Sequence, residues 1–163
     1  MKKIIVIGCP GSGKSTFARA LSEKTGIALY YLDMMFWNSD KTTVGREILI
    51  ERQKKVIEQD KWIVDGNYES TMELRLAACD TVFFLDYPSE VCIGGVRARL
   101  GKAREDMPWI ETEEDAEFIE YIKKFPENHR PRVLSLLEKY KDRRVFVFKS
   151  REEGEHFLNT AFS

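Results

Sequence analysis

Gly8-Cys9-Pro10-Gly11-Ser12-Gly13-Lys14-Ser15 stands between the apolar run Ile4-Ile5-Val6-Ile7 and the segment Thr16-Phe17-Ala18-Arg19-Ala20-Leu21. Its spacing fits G-x-x-x-x-G-K-[ST], with a strand expected before it and a helix after it, the context that gives this pattern its meaning. Missing Cβ atoms at the glycines let successive backbone N–H groups turn inward and surround a phosphate. Lys14 adds a mobile positive charge. The following helix offers unpaired N–H groups and the positive end of its dipole, and the Ser15 hydroxyl is suited to ligate Mg²⁺. The residues expected around a phosphate chain are therefore Gly8, Pro10, Gly11, Ser12, Gly13, Lys14, Ser15 and Thr16. Cys9 reads as a small neutral filler.

Outward from this loop, short β-rich runs alternate with longer helical stretches. Strands are expected at Lys3–Ile7, Ala28–Leu32, Trp62–Val64, Thr81–Leu85 and Arg144–Phe148. Helices are expected at Lys14–Thr25, Val44–Asp60, Glu69–Ala77, Ser89–Leu100, Thr112–Lys124, Arg130–Tyr140 and Glu152–Leu158. Alternation of this kind means a parallel sheet covered on both faces, a three-layer α/β arrangement. In the second helix Ile48, Leu49, Val56 and Ile57 fall at helical spacing with charge elsewhere. The charged stretch from Arg97 to Glu120 interrupts the alternation before the fifth strand and is the natural place for a mobile insert.

The chain of 163 residues matches one domain, 1–163, large enough to bury roughly two-thirds of the surface its unfolded form exposes. With 26 Lys+Arg against 27 Asp+Glu its net charge is −1, so no global positive field draws nucleic acid or an anionic membrane. Cys9, Cys79 and Cys92 are an odd number without C-x-x-C spacing, which points to reduced thiols in a cytoplasmic protein. His129 and His156 stand too far apart in sequence to suggest zinc. The apolar core at residues 4–7 is shorter than the roughly 7–15 residues of a secretory signal. No stretch approaches the length of about 20 apolar residues that a membrane span needs.

Several stretches together resemble one family: GCPGSGKST at 8–16, Tyr31-Leu32-Asp33 with Trp37, Trp62-Ile63-Val64-Asp65-Gly66-Asn67-Tyr68, Phe84-Leu85-Asp86-Tyr87-Pro88, Arg104-Glu105-Asp106-Met107-Pro108-Trp109 and Arg130-Pro131. They are similar to the adenylate-kinase-like proteins known as DNA topology modulation proteins. The resemblance runs over nearly the whole chain. It implies a P-loop kinase fold of the nucleoside monophosphate kinase type, a five-stranded parallel sheet in the order 2-3-1-4-5, and binding of ATP with Mg²⁺. It does not fix a phosphoryl acceptor.

Two strands end in aspartate, at Asp65 and Asp86. By pattern Asp86 is the better match to a metal-site carboxylate; by the topology the resemblance implies, Asp65 lies beside the loop and is assigned to Mg²⁺ with Ser15. The alternative for Asp65 is a plain turn residue before Gly66. Asp33 ends the second strand, where open α/β sheets collect ligands, and is expected to hold the acceptor or take its proton. Trp37 is the candidate for stacking, Asn67 and Tyr68 are expected to line the acceptor side, and Arg46, Arg52 and Arg75 are candidate phosphate clamps, Arg75 foremost. Phosphoryl transfer is mostly positioning and positive charge, and the arginines of adenylate kinase lids match best at Arg99, Arg104 and Arg130, around a short insert at about 100–128. Arg97, Lys102 and Arg132 flank them. Gly94-Gly95 stand where some relatives carry an arginine, which leaves adenine stacking unassigned, and Ser150-Arg151 occupy the turn that often wraps adenine.

The leading expectation is a kinase moving the γ-phosphoryl of Mg·ATP to a small acceptor, a nucleotide or a nucleoside, and acting as a monomer or homodimer. The alternative is an ATP-binding regulator of DNA topology that works through DNA or a protein partner, for which only the Arg97–Arg104 and Arg143–Arg144 patches speak. A P-loop hydrolase would want a water-positioning Gln, and none stands at a recognisable place.

Overall fold

Ile4, Ile5, Val6 and Ile7 are solvent-free on every side chain, and the topology explains why. A computed structural model describes residues 1–162. The central strand is β1 (Lys3–Gly8), and the sheet is completed by β2 (Leu29–Tyr31), β3 (Trp62–Asp65), β4 (Thr81–Leu85) and β5 (Arg144–Phe148). Every pairing is parallel, and the order is 2-3-1-4-5. A strand with neighbours on both edges and helices on both faces has no polar side, so a continuous apolar run is required there.

The helices are α1 (Lys14–Thr25), α2 (Leu32–Phe36), α3 (Arg46–Ile57), α4 (Met72–Ala78), α5 (Ser89–Ala98), α6 (Ala116–Asn128), α7 (Arg130–Lys139) and α8 (Arg151–Thr160). The period of two along β1 splits them into layers. Ile4 and Val6 share a core with Phe17 and Leu21 of α1, Val96 of α5, Ile122 of α6 and Leu158 of α8. Ile5 and Ile7 share the opposite core with Leu49 of α3, Leu76 of α4 and Val133 of α7. The result is an αβα sandwich. Among the described residues no helix is long and apolar enough to cross a membrane.

Two boundaries bear on function. The second strand stops at Tyr31 and not at Leu32, because Leu32 turns into α2 and is fully buried there; Asp33 therefore lies in the first turn of a short helix at the strand's carboxyl end. The stretch expected as an insert, about 100–128, divides in two. Residues 99–115 form no helix. The Asp115 side chain then accepts hydrogen bonds from the N–H groups of Glu117 and Phe118 at 3.0 and 3.3 Å, an N-cap that starts α6 at Ala116, later than the Thr112 expected. The apolar face of α6, with Ile119, Ile122 and Phe125, belongs to the core, so the lid proper is shorter than expected.

Candidate active site

The strand tips, the loop after β1 and the segment 99–115 enclose one cavity of about 1480 Å³. Its floor is the quoted loop. Ser12 closes a turn by donating its N–H to the Cys9 carbonyl at 3.1 Å, and Phe17 opens α1 by donating to the Gly13 carbonyl at 2.9 Å. Pro10, Gly11, Gly13, Lys14, Ser15 and Thr16 line the cavity, whereas Gly8 and Ser12 are buried beneath it. The Ser12 hydroxyl is buried without a hydrogen-bond partner. Lys14 folds back, its Nζ 3.5 Å from the Cys9 carbonyl oxygen. A hydrogen bond to Cys92 and burial push the Cys9 thiol up, which keeps it neutral, as a filler should be.

Close packing holds this loop from behind. A Cβ on Gly11 would come within 2.0 Å of the Cys92 carbonyl oxygen, and a Cβ on Gly95 within 2.0 Å of the Gly11 carbonyl oxygen. Helix α5 thus lies backbone to backbone against the loop, which is what Gly95 serves, whereas a Cβ on Gly94 would meet nothing within 4 Å. Asn67 fastens the other flank: its side-chain carbonyl accepts from the Gly8 N–H at 3.0 Å and its amide donates to the Gly8 carbonyl at 2.7 Å. Asn67 lines the cavity, but its amide is already used to tie β3 to the loop.

Asp65 ends β3 in register with Val6. It is 6% exposed, and its Oδ1 is buried without a hydrogen-bond partner. Burial pushes its carboxyl up to about 7, Lys14 works against this, and Asp33 and Asp106 add to it. A buried carboxylate oxygen with no donor is an unsatisfied group that a cation relieves. Mg²⁺ is bound in such sites through one or two carboxylates together with substrate phosphates and water, and Asp65 with the Ser15 hydroxyl at the mouth of α1 fits that donor set. Among the described residues no cluster of three or more His, Cys, Asp or Glu offers an all-protein metal cage. The turn beyond Asp65 needs glycine, since Gly66 has φ 136° and a Cβ there would meet Leu32 at 2.9 Å.

Asp33 faces the same space. Its Oδ1 accepts a hydrogen bond from the Tyr68 hydroxyl at 2.5 Å; burial raises its carboxyl, while that bond and Lys14 hold it down. Tyr68 sits at φ 39°, in the left-handed region, where a bulky residue costs about 1–3 kcal/mol unless its surroundings hold it. Trp37 lies beside the same phenol and works against the rise that burial and Asp33 impose on it.

The lid brings Arg99 and Arg104 over the cavity. Both are met by Glu111, Arg104 Nη2 at 3.1 Å and Arg99 Nε at 3.9 Å, and Arg104 also lies 3.8 Å from Asp106. Burial lowers the Arg99 guanidinium, and Arg104 beside it lowers it further. Two like charges gathered around one carboxylate form a site where phosphate oxygens can take the carboxylate's place.

Arg75 and Arg130 are placed elsewhere, against expectation. Arg75 is fully buried and donates to Gln53 at 2.6 Å, to Thr71 at 3.0 Å and to the carbonyls of Gly66 and Asn67. With no carboxylate beside it, burial lowers it to about 9. It braces the 66–67 turn from beneath and does not reach the cavity. Arg130 makes a two-pronged pair with Asp86 at 2.9–3.1 Å, joined by Lys149 at 2.6 Å, in a separate small pocket. Burial would raise Asp86, but Arg130 and Lys149 outweigh it and hold the carboxyl low. Asp86 is therefore an ion-pair anchor, and the choice of Asp65 as the carboxylate beside the loop agrees with the geometry.

Two contributors, Asp106 and Trp109, were not assigned roles from sequence, and a third, Arg151, was expected only as part of the turn that wraps adenine. Asp106 is 7% exposed and lies near Asp33 and Asp65. Trp109 meets Trp37 edge to face, ring centroids 5.4 Å apart; a tryptophan after Pro108 within a charged segment was the available signal. The Arg151 side chain donates to the Gly11 carbonyl at 3.2 Å, a tertiary contact that leaves no trace in local sequence.

No protein-family model matches the sequence, and no curated protein does. Solved structures match along its whole length. A shikimate kinase from Bacteroides thetaiotaomicron superposes with TM-score 0.60 at 19% identity, covering 97% of this chain and 94% of that one. A gluconokinase from Sinorhizobium meliloti 1021 gives 0.60 at 13% identity, covering 99% and 89%. A sugar kinase from Janibacter sp. HTCC2649 gives 0.57 at 17%, covering 99% and 92%. The fold is the one these solved kinases share.

Proposed function

We propose that the protein is a phosphotransferase that moves the γ-phosphoryl group of Mg·ATP to a small acceptor. The observation that carries this reading is the single lidded cavity in which a phosphate loop with Lys14 and Ser15, the orphaned carboxylate of Asp65 and the tethered carboxylate of Asp33 face one another. The structural neighbours are, by name, small-molecule kinases, which supports it.

ATP lays its phosphate chain along residues 10–16, where backbone N–H groups and the α1 dipole meet the negative charge. Lys14 leaves the Cys9 carbonyl for the transferring phosphate. Mg²⁺, held by Ser15 and Asp65, supplies neutralisation of charge on the phosphate oxygens when bound. Arg99 and Arg104 exchange Glu111 and Asp106 for phosphate oxygens. The acceptor oxygen bonds to the γ-phosphorus as the bond to the β,γ-bridging oxygen breaks, and ADP leaves. Asp33 takes the proton when the acceptor is a hydroxyl.

Three free buried thiols support a reducing compartment such as the cytoplasm. The regulator reading gains little from the surface, because much of the charge in its basic patches is paired: Arg97 with Glu114 at 2.5 Å, Arg104 with Glu111, and Arg143 with Asp142 at 2.6 Å. An ADP-release screen over nucleosides, nucleoside monophosphates and small alcohols, with Lys14→Ala as blank, tests the kinase reading. Stimulation by some acceptor supports it; equal ADP release with and without every acceptor sinks it.

A further inference from the structure

The acceptor end of the cavity has a chemical character of its own. The arginines that would grip an anionic acceptor are committed elsewhere. Arg75 is fully buried under the 66–67 turn. On α3, Arg46 donates to the Ser70 carbonyl at 3.2 Å and Arg52 to the Met35 carbonyl at 2.5 Å, and neither lines the cavity. Of the cations that do reach this end, Arg104 is already given to the ATP phosphates, and before they bind it is paired with Glu111 and Asp106. Arg19 is turned to the hydroxyls of Tyr31 and Thr16. Lys41 Nζ lies over the Trp109 ring, 5.8 Å from its centroid.

What faces the acceptor space is acidic and aromatic. Asp106 stands close enough to Asp33 to disfavour its charge, and a phosphate or carboxylate on the acceptor would add a third negative group. Hydroxyl groups, in contrast, donate to carboxylates, and Asp33 keeps Oδ2 free of the Tyr68 bond. Trp37 and Trp109 meet at 85°, forming a corner on which a flat ring can lie, and Phe36 backs that corner, its ring centroid 5.5 Å from Trp37 and 5.4 Å from Tyr68. Indoles present large apolar faces at little entropic cost.

We propose that the acceptor is an uncharged ring compound with free hydroxyls, as in a sugar or a nucleoside, bound with one face on the Trp37–Trp109 corner and a hydroxyl on Asp33, and carrying no phosphate or carboxylate of its own. This rests on the kinase reading and sharpens it, because a nucleotide acceptor is set aside. In the transfer the hydroxyl proton goes to Asp33 Oδ2, the acceptor oxygen bonds to the γ-phosphorus, and the bond to the β,γ-bridging oxygen breaks to release ADP.

The two indoles allow a test that needs no turnover. The full chain, saturated with Mg·ADP, is titrated with matched pairs while tryptophan fluorescence and melting temperature are followed: adenosine and AMP, cytidine and CMP, ribose and ribose 5-phosphate, glucose and glucuronate. At least one uncharged member should bind at least about tenfold more tightly than its charged partner. The nucleoside and sugar pairs separate the two sources of such a ring. Trp109→Phe should weaken the response, and Asp106→Asn should narrow the gap by admitting the charged member, a change of preference that mere structural damage does not produce. Charged members binding as well or better in every pair, or no response to any uncharged member, overturns the proposal. Failure of Mg·ATP to raise the melting temperature of the wild-type chain, measured alongside, strikes at the kinase reading instead.

Discussion

Asp65 pays for its place at the loop with an awkward ionisation. Its carboxyl is pushed up to about 7, against about 3.9 in an unfolded chain. Between those values the folded state holds the proton more tightly, so stability falls as pH rises through about 4 to 7 and the penalty is complete above 7. In metal-free buffer, Asp65→Asn should remove this slope and make the protein more stable than wild type at pH 8, by on the order of 1–4 kcal/mol, while abolishing the Mg²⁺ dependence of ATP binding. Melting curves at pH 5 and pH 8 with chelator check it; the same difference between the two proteins at both pH values would contradict the assignment. Arg75 makes the opposite case. Arg75→Met leaves Gln53 and two backbone carbonyls without their buried donor, and denaturant unfolding should show a loss of about 2–4 kcal/mol. A clamp on the acceptor would instead show a large effect on turnover with little loss of stability. Sequence could not separate these roles: a buried arginine bonded to carbonyls and a solvated one on a ligand look alike until the fold sets their depth.

At the scale of elements, the glycines of α5 carry a prediction. Gly95→Ala places a Cβ 2.0 Å from the Gly11 carbonyl oxygen, and neither backbone can yield without moving the loop. The variant should lose about 1–3 kcal/mol of stability, and its affinity for Mg·ATP should fall at least about tenfold. Titration calorimetry checks the second part, and unchanged affinity would show that α5 does not shape the loop. Much of this level was legible. Helix α1 runs Lys14–Thr25 as its pattern predicts, since an apolar periodicity follows the loop at once. Helix α2 was not legible, because its five residues are too few to show a helical period. The start of α6 was blurred for another reason: Thr112 and Asp115 both offer cap chemistry, and the Asp115 side chain is the one that bonds Glu117 and Phe118.

For the molecule as a whole, the sheet order is what sorts the site from its imitations. The β4 sequence with Asp86 has the better pattern, yet the tip of β3 lies beside β1 and toward the acceptor strand, while Asp86 is spent on Arg130 and Lys149. Patterns within a strand report its burial; which strand neighbours which depends on crossovers that only the fold displays. The loop and the carboxylates Asp33 and Asp65 that line the cavity were therefore readable from sequence. The wall facing them, with Asp106, Trp109 and Glu111, depends on how the 99–115 segment closes. The proposed phosphoryl transfer is measured most directly as ADP release by the wild-type chain and by Lys14→Ala, with and without candidate acceptors, with mass spectrometry of the acceptor. The account predicts acceptor-stimulated ADP release, an acceptor heavier by one phosphate, and loss of at least about 100-fold in the variant. Turnover indifferent to every acceptor, or near-normal transfer by Lys14→Ala, would contradict it.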